Sequence, residues 1–173
     1  MSCAIGIVNK DGVWIGSDSA ATTSDGEIRP FIAKKIFRNG KYLFAYIGSV
    51  RGGQILYPAY FKPPKDISLL IDDIIDQCQE KGCLGVDQEY QTQVHKCNYL
   101  VGYKGKLYEI LVDFQLNEVL NYTSVGSGAP YAFGSLHTTG KSKLNPEQRI
   151  KLALNAAAKF DTATAPPFVI EKL

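Results

Sequence analysis

Hydrophobic and polar positions follow two periods along this chain, and the switches between them mark its elements. Short apolar runs at Ala4–Val8, Gly12–Ser17, Lys35–Arg38 and Tyr42–Ile47 predict strands. Turn residues separate them at Lys10-Asp11-Gly12, Ser24-Asp25-Gly26 and Asn39-Gly40, and the last of these is the clearest hairpin signal. Helical spacing takes over at Ile67–Gln79, where Ile67, Leu70, Ile71, Ile74, Ile75 and Cys78 form one stripe. Strand patterning returns at Tyr99–Tyr103, a Lys104-Gly105 turn, Lys106–Leu111 and Glu118–Thr123. The last third is helical. Pro130–Leu136 follows a glycine-rich turn, and Asn145 caps a second helix with Pro146 at its first position and Gln148 closing a capping box. Ile150, Ala153, Leu154 and Ala157 give that helix a buried face, Asp161 falls near its end, and Phe168–Ile170 is a closing strand. Residues 58–64 read as a loop, and no internal repeat is present. The order predicts an α+β protein with helices layered on antiparallel sheets.

Composition narrows the classes. A chain of 173 residues is expected to form one domain, 1–173, with a sizeable core. Nineteen basic against 17 acidic residues leave +2, too even for a nucleic-acid or anionic-membrane partner. No apolar run approaches the roughly 20 residues of a membrane span. The N-terminus lacks the basic and long apolar regions of a secretory signal, so a cytoplasmic protein with reduced thiols is expected. Cys78, Cys83, His95 and Cys97 are nominally four metal ligands, but their spacings are not those of common zinc modules. They read as core or surface thiols, with no metal and no cofactor expected; His137 reads as a surface helix residue.

The beginning of the chain carries candidate chemistry. Ser2 and Cys3 sit directly behind Met1 and lead straight into the apolar run Ala4-Ile5-Gly6-Ile7-Val8, whereas chains ordinarily open on polar, poorly ordered residues. Methionine ahead of a small residue is commonly trimmed, and trimming leaves Ser2 with a free α-amine. An unperturbed α-amine titrates near ~7.7–8.0, so one residue then holds both a nucleophile and a base. The plain alternative is a β-rich domain that starts with its first strand.

Four segments, in order and spanning almost the whole chain, carry a family resemblance. They are Ser2-Cys3-Ala4-Ile5-Gly6-Ile7 through Gly16-Ser17-Asp18-Ser19; Lys34-Lys35-Ile36-Phe37; Ser124-Val125-Gly126-Ser127-Gly128-Ala129-Pro130-Tyr131; and Ala158-Lys159-Phe160-Asp161-Thr162-Ala163-Thr164. Together they resemble the β-type subunits of the proteasome and their bacterial relative, the peptidase subunit of the HslUV protease. The resemblance implies an N-terminal-nucleophile hydrolase fold, a four-layer αββα sandwich of two antiparallel sheets flanked by helices. It implies that Ser2 replaces the family's N-terminal threonine as nucleophile on a peptide carbonyl, with the α-amine as proton acceptor. Lys35 would lower the hydroxyl's pKa, Asp18 would pair with that lysine, and Ser127, Asp161 and Thr164 would position the amine. The Ser2 and Ala45 backbone N–H groups would face the oxyanion, and Leu43 would wall an apolar substrate pocket.

The resemblance also implies a polypeptide substrate, a homo-oligomeric ring and an ATPase unfoldase ring as partner, with maturation by methionine removal alone. Three departures from the family pattern stand out. Serine lacks the methyl that fixes χ1, Ala45 stands where the family has glycine, and Ala165-Pro166-Pro167 stiffens the approach to the last strand. Two other readings use the same residues: a catalytically inactive assembly subunit of this fold, and an amidohydrolase of small molecules, with Cys3 as nucleophile if two residues are trimmed.

Overall fold

The computed structural model describes residues 2–23, 27–32 and 34–173. The turn expected at Ser24-Asp25-Gly26 and the fate of Met1 lie outside them. Strand β1 (Ala4–Asn9) turns into β2 (Gly12–Asp18) around Lys10-Asp11, with Ala4 opposite Ser17 and Asn9 opposite Gly12. A short β3 (Ala20–Thr22) pairs with β4 (Ile28–Ile32). The Asn39-Gly40 turn joins β5 (Ile36–Asn39) to β6 (Tyr42–Gly48). Helices α1 (Val50–Leu56) and α2 (Leu69–Glu80) follow, then a small hairpin of β7 (Leu84–Val86) and β8 (Gln93–His95). Strands β9 (Cys97–Tyr103), β10 (Lys106–Ile110), β11 (Leu116–Val119) and β12 (Tyr122–Val125) lead to α3 (Ala129–Thr138), α4 (Pro146–Phe160) and β13 (Phe168–Lys172).

Two antiparallel sheets result, ordered β12-β1-β2-β13 and β11-β10-β9-β6-β5. Strand periodicity decides what each face touches. Along β6, Leu43, Ala45 and Ile47 point between the sheets, where Leu100 and Leu107 meet Ala4, Val13 and Ile15. The alternate residues Tyr42, Phe44 and Tyr46 point the other way, onto Leu56 of α1 and Leu70, Ile74 and Cys78 of α2. The first sheet buries Ile5 and Ile7 beneath Ala132 and Leu136 of α3 and Ile150, Ala153 and Leu154 of α4. Helices, sheet, sheet, helices: the expected αββα sandwich is observed.

Besides β3 and β4, where no strand was expected, three elements differ from the periodicity reading. Residues Glu118–Thr123 are not one strand. The chain breaks at Leu120-Asn121, so that β11 finishes the second sheet and β12 crosses to the first. Helix α1 was not predicted because Gly52 and Gly53 suppress helical propensity. Both lie against neighbours with no room for a side chain, since a Cβ on Gly53 would sit 2.0 Å from the Tyr46 ring and one on Gly52 2.4 Å from the Cys97 sulfur. The β7–β8 hairpin consists of two three-residue strands, too short to carry a periodic signal.

The capping box that starts α4 is complete. The Asn145 side chain accepts from Gln148 N at 2.9 Å, and the Gln148 side chain accepts from Asn145 N at 3.0 Å. Asn145→Ala is therefore expected to lower the unfolding free energy by about 1 kcal/mol, read from the midpoint of a urea titration at unchanged slope.

Candidate active site

Ser2 precedes β1 and is nearly inaccessible, at 4% exposure. Strand pairing places it. With Ala4 opposite Ser17 on one side and Val125 on the other, the residues ahead of β1 are pressed between the end of β2 and the turn that follows β12. The Cys3 N–H donates to Asp18 Oδ1 at 3.0 Å, and Asp18 N–H donates to the Cys3 carbonyl at 3.2 Å.

Asp18 and Lys35 form the centre. Lys35, just ahead of β5, donates to Asp18 Oδ1 and Oδ2 at 3.0 and 2.9 Å, and to Ser2 Oγ at 2.5 Å. Those three bonds use every proton of the ammonium. The carboxylate also accepts from Ala20 N at 3.1 Å, so each of its oxygens has one backbone and one lysine donor. Asp18 is 1% exposed and Lys35 5%. Burial lowers the lysine's pKa below its ordinary 10.5, while the charge and hydrogen bonds of Asp18 oppose that shift. Because Ser2 Oγ accepts from a cation, its own proton points elsewhere and is more easily lost.

A second group addresses the Ser2 nitrogen. The Ser2 N–H donates to Ser127 Oγ at 3.2 Å, Ser127 Oγ donates to Asp161 Oδ2 at 2.9 Å, and Thr164 Oγ1 donates to the same oxygen at 2.5 Å. Asp161 is the C-cap of α4, and Ser127 stands in the turn between β12 and α3. The turn needs Gly126, which has φ +102° and approaches so closely that a Cβ there would lie 2.1 Å from the Ser2 carbonyl oxygen. The structure thus brings together Ser2, Asp18, Lys35, Ser127, Asp161 and Thr164.

Ala45 and Leu43 are not brought to this cluster. Both are fully buried between the sheets. Successive residues of a strand aim their N–H groups at opposite neighbours. Tyr46 N donates to the Lys35 carbonyl at 3.0 Å on the β5 side, so the Ala45 N–H is turned toward β9. The small cleft beside Ser2 and Lys35 is lined instead by Ala20, Ala21, Thr22, Tyr46, Gly48 and Val50. Sequence reasoning missed these; the glycine that interrupts the apolar run at the end of β6 was the one available signal.

Cys3 is unsuited to be a nucleophile. It is fully buried, burial pushes its thiol up to about 12, and its sulfur lies 3.6 Å from Ser124 Oγ. His95 stacks on Tyr99, with its Nε2 2.9 Å from the Leu111 carbonyl, and among the described residues no cluster of three or more ligating side chains is assembled for a metal. His137 is exposed on α3.

No family model matches the chain. A proteasome subunit beta from Frankia casuarinae (strain DSM 45818 / CECT 9043 / HFP020203 / CcI3) is 34% identical over 73 residues, covering 40% of this chain and 27% of that protein. The chain thus spans about a quarter of that relative's length. Among solved structures, Thiobacillus denitrificans BPH superposes with a TM-score of 0.83 at 23% identity, covering 98% of this chain and 97% of that one. The fold is that of the proteasome β-type and HslV family. HslV from Trypanosoma brucei has a TM-score of 0.72 at 16% identity, over 99% of this chain and 98% of its own. Anbu from Yersinia bercovieri gives 0.69 at 14% identity, over 98% and 80% respectively. The family resemblance read from the four sequence segments is borne out at the level of this proteasome-type fold.

Replacing one partner of the buried pair tests how its charge is held. Asp18→Asn leaves an uncompensated ammonium and is expected to lower the unfolding free energy by about 3–5 kcal/mol. Lys35→Met leaves a carboxylate that keeps two backbone donors, so its loss should be smaller. Urea unfolding of both variants checks the order.

Proposed function

We propose that the protein is a peptidase that uses Ser2 as its N-terminal nucleophile once Met1 is removed. The observation that carries this reading is the placement of two separate networks on one residue: Lys35 and Asp18 on the Ser2 hydroxyl, and Ser127, Asp161 and Thr164 on its nitrogen. Serine with a free amine at this position holds nucleophile and base together. Ser2 Oγ attacks the peptide carbonyl and passes its proton to the amine, directly or through one water. The amine then protonates the departing nitrogen, leaving an ester on Ser2 that water hydrolyses. Lys35 stays charged and favours the developing alkoxide.

For the oxyanion, Gly48 takes the role that the resemblance gave to Ala45. It lines the cleft, and its N–H falls on the same side of β6 as that of Tyr46, beyond the point where β5 begins. The substrate is unfolded polypeptide, and the working form is a homo-oligomeric ring in the cytoplasm fed by an ATPase. The proteasome-type fold supports this assembly. No helix among the described residues is long and apolar enough to cross a membrane. A second solved structure of Thiobacillus denitrificans BPH, with a TM-score of 0.82 at 21% identity over 98% of this chain and 97% of that one, is a complex with epoxomicin. That complex supports a ligand-binding role for this fold, which the proposed chemistry assigns here to the cleft beside Ser2.

The decisive experiment is intact mass before and after a peptide epoxyketone, whose ring closure needs a hydroxyl and a free α-amine on one residue. Loss of Met1 and a single adduct, absent in Ser2→Ala, is the expected result. Retained Met1 with no adduct overturns the mechanism and favours an inactive assembly subunit; turnover of small amides by a monomer favours an amidohydrolase. Peptide hydrolysis should fall to background in Ser2→Ala and in Lys35→Ala. With pH, kcat/KM should rise through about 7.7–8.0 as the amine becomes a free base. It should fall again on the alkaline side, below pH 10.5, because burial has lowered the pKa at which Lys35 loses its charge.

A further inference from the structure

Helix α2 ends in a complete Schellman motif. Gly82, at φ +64°, is the left-handed residue. The Cys83 N–H donates to the Cys78 carbonyl at 2.9 Å and the Gly82 N–H to the Gln79 carbonyl at 3.1 Å. The motif brings together the side chains of the two residues that share its longer bond, a contact that is usually hydrophobic. Here both are cysteines, both are free, and Cys83 packs against the buried cluster that contains Cys78. Cys78 is fully buried against the second sheet. Cys83 is half-buried and lines a cavity of about 240 Å³ with Ser49, Arg51, His95, Cys97 and Tyr99.

We propose that Cys78 and Cys83 are a reversible oxidation site that closes to a disulfide when a hydroperoxide enters this cavity. Cys83 is the thiol that meets the oxidant. As thiolate its sulfur attacks one peroxide oxygen, the O–O bond breaks, and the departing alkoxide takes up the thiol's proton to leave as alcohol. Cys83 is then a sulfenic acid. Cys78 attacks that sulfur, the S–O bond breaks, and the hydroxyl leaves as water with the Cys78 proton. Two thiols have lost two electrons and two protons, and one hydroperoxide has become one alcohol and one water.

The division of roles follows burial. Cys78 has no access to the oxidant, and its thiol is pushed up to about 12. The other thiol that lines the cavity is engaged elsewhere, since Cys97 Sγ donates to the Ser49 carbonyl at 3.3 Å. Closure asks little of the backbone, because the hydrogen bond from Cys83 to Cys78 already folds the chain back between the two residues. Its effect would reach the first turn of α1, where Arg51 Nη2 donates to the Lys81 carbonyl of the same C-cap at 2.9 Å. That helix starts just beyond Gly48, which lines the Ser2 cleft.

The test uses the full-length protein, treated with tert-butyl hydroperoxide, denatured, alkylated with iodoacetamide and mapped by mass spectrometry. Two thiols per chain are expected to become unreactive, the peptides holding Cys78 and Cys83 to be joined, and dithiothreitol to restore both. Cys83→Ser should prevent this loss, and Cys97→Ser should leave it intact. An unchanged thiol count, a Cys83–Cys97 link or a link between chains overturns the proposal. None of these readouts depends on whether Ser2 is active.

Discussion

A buried ammonium facing a buried carboxylate is the constraint around which the candidate site is arranged. Taking either charge out of water costs several kcal/mol, and the pair holds only if its remaining donors and acceptors are filled. Here they are. Asp18 has four donors, two from Lys35 and one each from the backbone of Cys3 and Ala20. The lysine has one proton left over, and the acceptor within its reach is Ser2 Oγ. Asp18 ends a strand of the first sheet and Lys35 precedes a strand of the second. The pair therefore fastens one end of the sandwich as it sets the hydroxyl.

The nitrogen of Ser2 is held from a different direction. Ser127 comes from the turn before α3, and Asp161 and Thr164 from the end of α4 and the loop beyond it. Those two helices pack on the outer face of the first sheet. Packing of Ile150, Ala153, Leu154 and Ala157 thus decides where the Asp161 carboxylate lies. Serine has no methyl to restrict χ1. The bond from Lys35 supplies that restriction, so the hydroxyl is oriented by charge rather than by sterics.

Much of this was legible in the residues. Asn39-Gly40 marked a hairpin, and Asn145-Pro146 with Gln148 marked a helix start. These signals are local, since each depends on neighbours within a turn or a pleat. The six polar residues of the cluster were named through a family resemblance, because nothing in their spacing connects Ser2 to Ser127, which lies 125 residues away along the chain. Ala45 and Leu43 show the limit of that route. They lie on the expected strand, but their side chains face between the sheets and the Ala45 N–H is turned to β9.

The sequence by itself determined the α+β class, most strands, the two C-terminal helices and the residue types available at the chain's beginning. Hydrophobic period and capping chemistry act over a few residues and need no partner from afar. Only the tertiary structure decided that Glu118–Thr123 divides between two sheets, that Gly52 and Gly53 belong to a helix, and which backbone N–H groups face the cleft. It also decided that the chain folds Cys83 back onto the Cys78 carbonyl while Cys97 bonds elsewhere. The reason is the same in each case: strand order, sheet stacking and close backbone approach are set by contacts between distant segments, and no period along the chain records them.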